Sequence, residues 1–153
     1  MDEDLQKLLS LAESIETMAA ELYERYHDAF AADEEAAYLF YHLHVEEKSH
    51  VALVRYTSII AKHGTASVRA EALETGPLQA LHSRLTAELA KPAPATLKEA
   101  VQTALELEVT LGEGYVKTRL AAAGAATARL VASLAEKEHA GQLVTFAKSR
   151  HIL

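Results

Sequence analysis

Leu5, Leu8, Ala12, Ile15, Ala19, Leu22, Tyr26 and Phe30 recur at steps of three and four residues, the spacing that gathers apolar side chains on one face of an α-helix. This periodicity predicts a first helix from Asp4 to about Ala31. A second run starts after Asp33, an N-cap residue type, and carries Phe40, Leu43, Val51, Val54 and Ala61 before Lys62-His63-Gly64 supplies a C-terminal stop. Each would extend about 40 Å at roughly 1.5 Å per residue. Thr96-Leu97-Lys98-Glu99 has the form of a capping box and opens a third run to about Ala123, where Gly124 breaks it before a fourth near 126–149. The intervening 64–95 stretch is less periodic, with Gly76-Pro77 and Lys91-Pro92-Ala93-Pro94 bracketing a short helix near 78–90. Two helical hairpins joined by one long connection predict a single all-α domain over 1–153, a four-helix bundle with one crossover between its second and third helices.

Composition agrees with helix and narrows the chemistry. Six Gly and three Pro in 153 residues leave few interruptions. With no Cys, disulfides, thiolate metal sites and iron–sulfur clusters are excluded within this chain, leaving nitrogen and oxygen ligands. The formal net charge of -7 argues against nucleic acid or an anionic membrane as partner. No apolar run approaches the roughly 20 residues of a bilayer span, and the amino-terminal MDEDLQK is acidic where a signal peptide would be basic. The expected location is the cytoplasm.

The sequence repeats itself in a way that bears on function. LAESIETMAAELYER (11–25) aligns with TALELEVTLGEGYVK (103–117), placing Glu16 and Tyr23 on Glu108 and Tyr115. EEKSHVALV (46–54) aligns with AEKEHAGQL (135–143), placing Glu47 and His50 on Glu136 and His139. Eight His among many Glu produce about one Glu-x-x-His pair by chance, and Glu24-x-x-His27, with no counterpart in the second half, is read as that chance pair. The other two keep the same order twice, a lone Glu with Tyr seven residues on, then Glu-x-x-His in the next helix.

These carboxylates fall on apolar faces: Glu16 beside Ala12, Ala19 and Tyr23; Glu47 beside Phe40, Leu43, Val51 and Val54; Glu108 beside Val101, Ala104, Leu111 and Tyr115. Glu136 has Ala132, Ala140 and Leu143 on its face, but also Arg129. Burying an ionised carboxylate costs several kcal/mol unless compensated, so four converging ones call for cations, and two divalent metals would cancel the charge. Residues at i and i+3 share a helix face, which lets each Glu-x-x-His pair reach one centre. Four Glu and two His on four helices match the carboxylate-bridged di-metal pattern of helix bundles, and a carboxylate–imidazole donor set suits iron or manganese better than structural zinc.

With these motifs the chain resembles the rubrerythrin branch of the ferritin-like superfamily over nearly its whole length. The resemblance implies a ferritin-like bundle holding two iron ions, with manganese or a mixed pair as alternatives. It implies that Glu47 and Glu136 bridge the metals, Glu16 and Glu108 are terminal carboxylates, His50 and His139 each bind one metal, and Tyr23 and Tyr115 hydrogen-bond carboxylates across the bundle. Reaction with hydrogen peroxide or O2, of peroxidase or ferroxidase type, follows, as does a homodimer. Rubrerythrins carry a further Glu one turn after the third-helix ligand where Leu111 stands here, and commonly a rubredoxin domain, so electrons would come from a separate protein such as a rubredoxin. Bacterioferritin is similar in its six ligands, but Lys48 stands where a haem-binding Met would be expected. An iron-binding or storage module without efficient turnover, and a helical interaction protein with a structural metal, are the alternatives.

Other polar residues near the motifs receive plainer readings. His42 and His44 lack partners in the second half and are read as solvated or locally hydrogen-bonded. Glu21 and Glu113 lie about 140° around the helix from the ligands and suit salt bridges or solvent. Glu13 is matched by Leu105, which argues against an extra ligand. Gly112 and Gly114, costly inside a helix, are read as permitting close packing, with space beside the metals as the other role.

Overall fold

A computed structural model describes residues 3–63 and 73–153. Six α-helices occur among them, α1 (Glu3–Ala29), α2 (Glu34–His63), α3 (Gly76–Ala90), α4 (Leu97–Lys117), α5 (Ala125–Leu134) and α6 (Glu138–Ser149), with a 3₁₀ turn at Leu120–Ala123 and no strand. The protein is all-α, and no helix among the described residues is long and apolar enough to cross a membrane.

The local signals act where the sequence puts them. Asp33 caps α2, its Oδ1 accepting the Ala36 N–H at 3.1 Å, and Thr96 caps α4 by accepting the Glu99 N–H at 3.2 Å. Gly64, the expected stop of the second helix, lies outside the described residues. Cross-helix contacts fix the directions. Phe30 meets Phe40, Ala20 meets His44 and Glu13 meets Arg55, so α2 runs antiparallel to α1. Helix α3 runs alongside α1, with Ser14 on His82 and Arg25 donating to the Leu89 and Lys91 carbonyls, and it also packs on α4. Helices α5 and α6 close the other side against α2 and α4. Leu8, Ile15, Phe40, Leu43, Leu81, Leu107 and Leu143 share one buried core, the enclosure that sets the electrostatics of any charge placed inside it. At the far end Arg150 holds Asp33 through two 2.7 Å bonds, tying the start of α2 to the end of α6.

The second half differs from the expected pair of long helices. Helix α4 stops at Lys117, where Arg119 adopts a left-handed φ of 57° and the Thr118 hydroxyl donates to the Tyr115 carbonyl while accepting the Leu120 N–H. Gly124, at φ 147°, sits in a backbone region that suits glycine. The fourth predicted helix is two, interrupted at 135–137. There the Ala135 N–H bonds to Val131 and the Glu136 N–H bonds back only three residues to Ser133, a tightening typical of helix ends. No Gly or Pro marks this interruption.

Gly114 is tightly packed, since a Cβ there would lie 3.3 Å from a Leu78 methyl, which is how α3 approaches α4. At Gly112 a Cβ would meet only the Ala135 carbonyl at 3.6 Å.

Candidate metal centre

Glu16 of α1, Glu47 and His50 of α2, Glu108 of α4 and His139 of α6 converge in the interior. Their ligand-type atoms form two groups, Glu16–Glu47–His50 and Glu47–Glu108–His139, each with all three atoms within 4.8 Å of one another. Glu47 belongs to both. Its Oε2 lies 3.1 Å from His50 Nδ1 and its Oε1 3.1 Å from His139 Nδ1, so the two oxygens of one carboxylate face two different imidazoles. Glu16 Oε2 is 3.4 Å from His50 Nδ1, and Glu108 Oε2 is 3.4 Å from His139 Nδ1. The two rings stack with centroids 5.3 Å apart. Glu16 and Glu47 are 1% exposed and His139 4%.

Burial penalises charge here, and neighbouring groups decide its form. Desolvation, reinforced by the Glu47 charge, pushes Glu16 up to about 8. Desolvation disfavours the imidazoliums too, but Glu16 and Glu47 outweigh it and raise His50 to about 10. Glu108 and Glu47 likewise raise His139 to about 11. Protons on the two imidazoles thus act as the countercharge of the carboxylates. They satisfy it incompletely: Glu16 Oε2 and Glu47 Oε1 are buried without a hydrogen-bond donor. The 3.1 Å approach of His139 Nδ1 to Glu47 Oε1 has the distance of an ion pair but not the direction of a hydrogen bond. Unfilled buried carboxylate oxygens, aimed at imidazole nitrogens, are what a cation would occupy.

Each tyrosine serves the opposite half of the sequence. The Tyr23 hydroxyl donates to Glu108 Oε1 at 2.5 Å and the Tyr115 hydroxyl to Glu16 Oε1 at 2.7 Å. Burial, then the charge of the accepting glutamate, raises both phenols well above their ordinary value, so they remain donors. Each bond holds one oxygen of its carboxylate and leaves the other facing an imidazole.

Glu136 corrects the expectation that four carboxylates point inward. It is exposed and stands in the interruption between α5 and α6, outside both groups. Its pairing with His139 assumed one continuous helix, and here His139 lies in the first turn of α6 while Glu136 precedes that helix. Three carboxylates already face two imidazoliums in the core, and a fourth would add buried negative charge without a cation. Glu136 instead lines a cleft of about 440 Å³ between α4 and the interruption, together with Glu108, Gly112 and Glu113. Gly112 therefore borders open space beside Glu108, while Gly114 serves packing.

Glu46, which neither repeated motif singles out, takes part. Its Oε2 lies 2.9 Å from His139 Nε2 and its Oε1 3.0 Å from His42 Nε2, and the His139 contact comes first in holding it below its usual value. The His42–Glu46 spacing of four residues on a helix was the available signal. His44 bonds the Ala20 carbonyl, Glu13 pairs with Arg55, and Glu21 and Glu113 are exposed. Glu24 is exposed and His27 pairs with Asp28, away from the cluster, in keeping with a chance motif.

No protein-family model matches this chain, and no curated protein and no solved structure matches it.

Proposed function

We propose that the chain is a di-metal carboxylate protein, a ferritin-like four-helix bundle of rubrerythrin type in which α3 belongs to the crossover and α5 with α6 forms the fourth member. Two iron ions are the preferred occupants, and manganese or a mixed pair fits the same nitrogen and oxygen donors. One observation carries the reading: Glu47 presents one oxygen to each of two Glu/His groups, and the oxygen facing His139 has no hydrogen-bond donor. That is the disposition of a bridging carboxylate. Glu16 with His50, and Glu108 with His139, supply the remaining ligands.

The chemistry supplied by such a centre is two-electron storage and Lewis-acid polarisation of O2 or hydrogen peroxide. The chain's own contribution is positional. Tyr23 and Tyr115 orient Glu108 and Glu16, Glu46 orients His139 and fixes which ring nitrogen faces the carboxylates, and the buried aromatic layer of Tyr23, Tyr26 and Phe40 keeps bulk water from one end. The cleft beside Glu108 is the route for a small oxidant. Electrons for repeated turnover would come from a separate donor protein.

A second reading, an iron-binding module without efficient turnover, draws on Leu111. It is buried and apolar where rubrerythrins place a further carboxylate.

The test is metal content after native purification followed by aerobic ferrous titration. Two irons per chain, with oxidation that stops at that stoichiometry and resumes on re-reduction, support the first reading, and uptake without renewed oxidation supports the second. Protein that takes up no metal, together with unchanged stability of Glu47→Ala, would sink both.

A further inference from the structure

A chain of polar contacts leads from the interior cluster to the surface. His139 Nε2 lies 2.9 Å from Glu46 Oε2, and Glu46 Oε1 lies 3.0 Å from His42 Nε2. The His42 ring is in turn stacked on Tyr38, with centroids 6.2 Å apart and planes at 10°. His42 and Tyr38 open into a groove of about 880 Å³ between α2 and α6, which Gly141 and Phe146 also line. The contacts orient His139, but orientation needs only Glu46; it does not account for the continuation to His42 and the groove. Electron tunnelling falls steeply across every gap between bonded groups, so an unbroken run from a ligand imidazole to an open groove is also a path for electrons.

The groove is kept open at a cost. Gly141 stands inside α6, where glycine lowers helix stability relative to a residue with a side chain. A Cβ there would meet nothing within 4 Å, so packing within the chain gives no reason for it, whereas a larger side chain would stand in the groove. The groove is also acidic at both ends. The Asp33–Arg150 and Glu46–His139 contacts run α6 antiparallel to α2, which sets Glu34 at one end and Glu138 at the other. Both are exposed and have no ion-pair partner among the described residues, while Glu35 is held by Arg150. An apolar floor of Tyr38 and Phe146 between acidic ends suits a partner that brings an apolar contact ringed by Lys or Arg.

We propose that a basic one-electron donor protein docks in the α2–α6 groove and that the run His42–Glu46–His139 carries its electron inward. The path rests on the reading of the cluster as a redox-active di-metal centre. Each transfer removes one electron from the donor and reduces one ferric ion to ferrous, so two transfers restore a diferrous pair, and no bond within the run is made or broken.

The probe is zinc-substituted cytochrome c, a basic protein with lysines around an exposed porphyrin edge, whose photoexcited porphyrin gives up one electron. Titrated calorimetrically into the metal-free full chain at about 20 mM ionic strength, where charges are little screened, it is expected to bind one-to-one. Gly141→Leu, and separately Glu34→Lys combined with Glu138→Lys, should weaken that binding by about tenfold or more, while Glu24→Lys, a charge reversal on α1, should change it by less than about threefold. In the complex with diferric protein the excited state should decay faster than in the metal-free complex. His42→Phe should slow that transfer by about tenfold or more at unchanged affinity, the scale on which outer partners of ligating imidazoles act, and His42→Gln, which can still donate to Glu46, should restore most of it. Binding that Gly141→Leu leaves intact, or self-association of the chain that Gly141→Leu abolishes, would overturn the docking. Decay that is equal in the metal-free and diferric complexes, or that His42→Phe does not slow, would overturn the path. A chain that takes up no iron sinks the metal reading and the path with it, while the calorimetric titration decides the docking by itself.

Discussion

The two halves of this chain repeat one motif and fold it differently. In the first half α1 and α2 run for 27 and 30 residues without interruption, and Glu16, Glu47 and His50 all reach the interior. In the second half α4 stops early, two short helices replace one long one, and only Glu108 and His139 arrive while Glu136 stays in water. A shared motif therefore does not guarantee a shared site. The i, i+3 geometry that unites Glu47 with His50 holds only while one helix carries both residues, and the interruption at 135–137 removes that condition. The cluster is a near-symmetric arrangement with one carboxylate, Glu47, central to both groups.

Substitution of that carboxylate should have the largest effect. Glu47→Ala is expected to weaken metal binding at both positions by more than about a hundredfold, beyond the 10–100-fold typical of groups that only support ligands, measured by cobalt or zinc titration. Glu136→Ala is expected to change the same affinity by less than about tenfold. If the two variants lose affinity equally, the equivalence of the halves is restored and the α5–α6 interruption must close when metal enters; a rise in helical circular dichroism on titration would report the same event.

Proton competition comes next. His50 and His139 are held protonated, near 10 and 11, by the carboxylates they face, and metal must displace those protons. The apparent affinity should rise with pH, by up to about a thousandfold per unit below pH 8, where Glu16 also holds a proton, and up to about a hundredfold per unit above it. Metal-free stability should move oppositely. Glu16, His50 and His139 all bind protons more tightly folded than unfolded. Their contribution is therefore complete below the unfolded values and is lost as pH rises through about 8 and then 10 to 11. Thermal melts of chelated protein from pH 6 to 10 should show a falling midpoint, and a flat or rising one would refute the assigned protonation.

The tyrosines offer a finer comparison. Tyr23→Phe and Tyr115→Phe each remove one bond to a buried glutamate, a loss of about 0.5–3 kcal/mol depending on the charge of the acceptor, visible in denaturant unfolding of the metal-free protein. Near-equal losses would confirm that the two halves are equivalent at this level even though their glutamate–histidine pairs are not. The smallest effect is expected at the glycines. Gly112→Ala should stabilise by up to about 1 kcal/mol from helix propensity, its Cβ meeting only ordinary contact, whereas at Gly114 the close Leu78 methyl should cancel the gain. Equal stabilisation would mean that α3 is not held against α4 as described.

Much of this was legible in the sequence because it depends on local rules. The helical runs, the Asp33 and Thr96 caps and the short helix before Lys91 follow from periodicity and capping chemistry within a few residues. The tyrosine bonds were legible only through the family resemblance, since an aromatic residue on an apolar stripe is equally consistent with plain packing. The interruption at 135–137 was not legible, because LVASLAEKEHA (130–140) contains no Gly or Pro and Glu136 sits at correct helical spacing from Ala132, Ala140 and Leu143. Glu46 was missed for a related reason: its neighbour Glu47 had the motif, and the partner that recruits Glu46 is His139, 93 residues away.

By itself the sequence determined that this chain is helical, where most helices begin and end, and which residue types sit on apolar faces, because backbone propensity and side-chain periodicity act over three or four residues. Only the tertiary structure decided which of those residues share a centre. That depends on the balance of charge in a buried volume, where three carboxylates and two imidazoles compensate one another and a fourth carboxylate, lacking a cation, is better solvated outside.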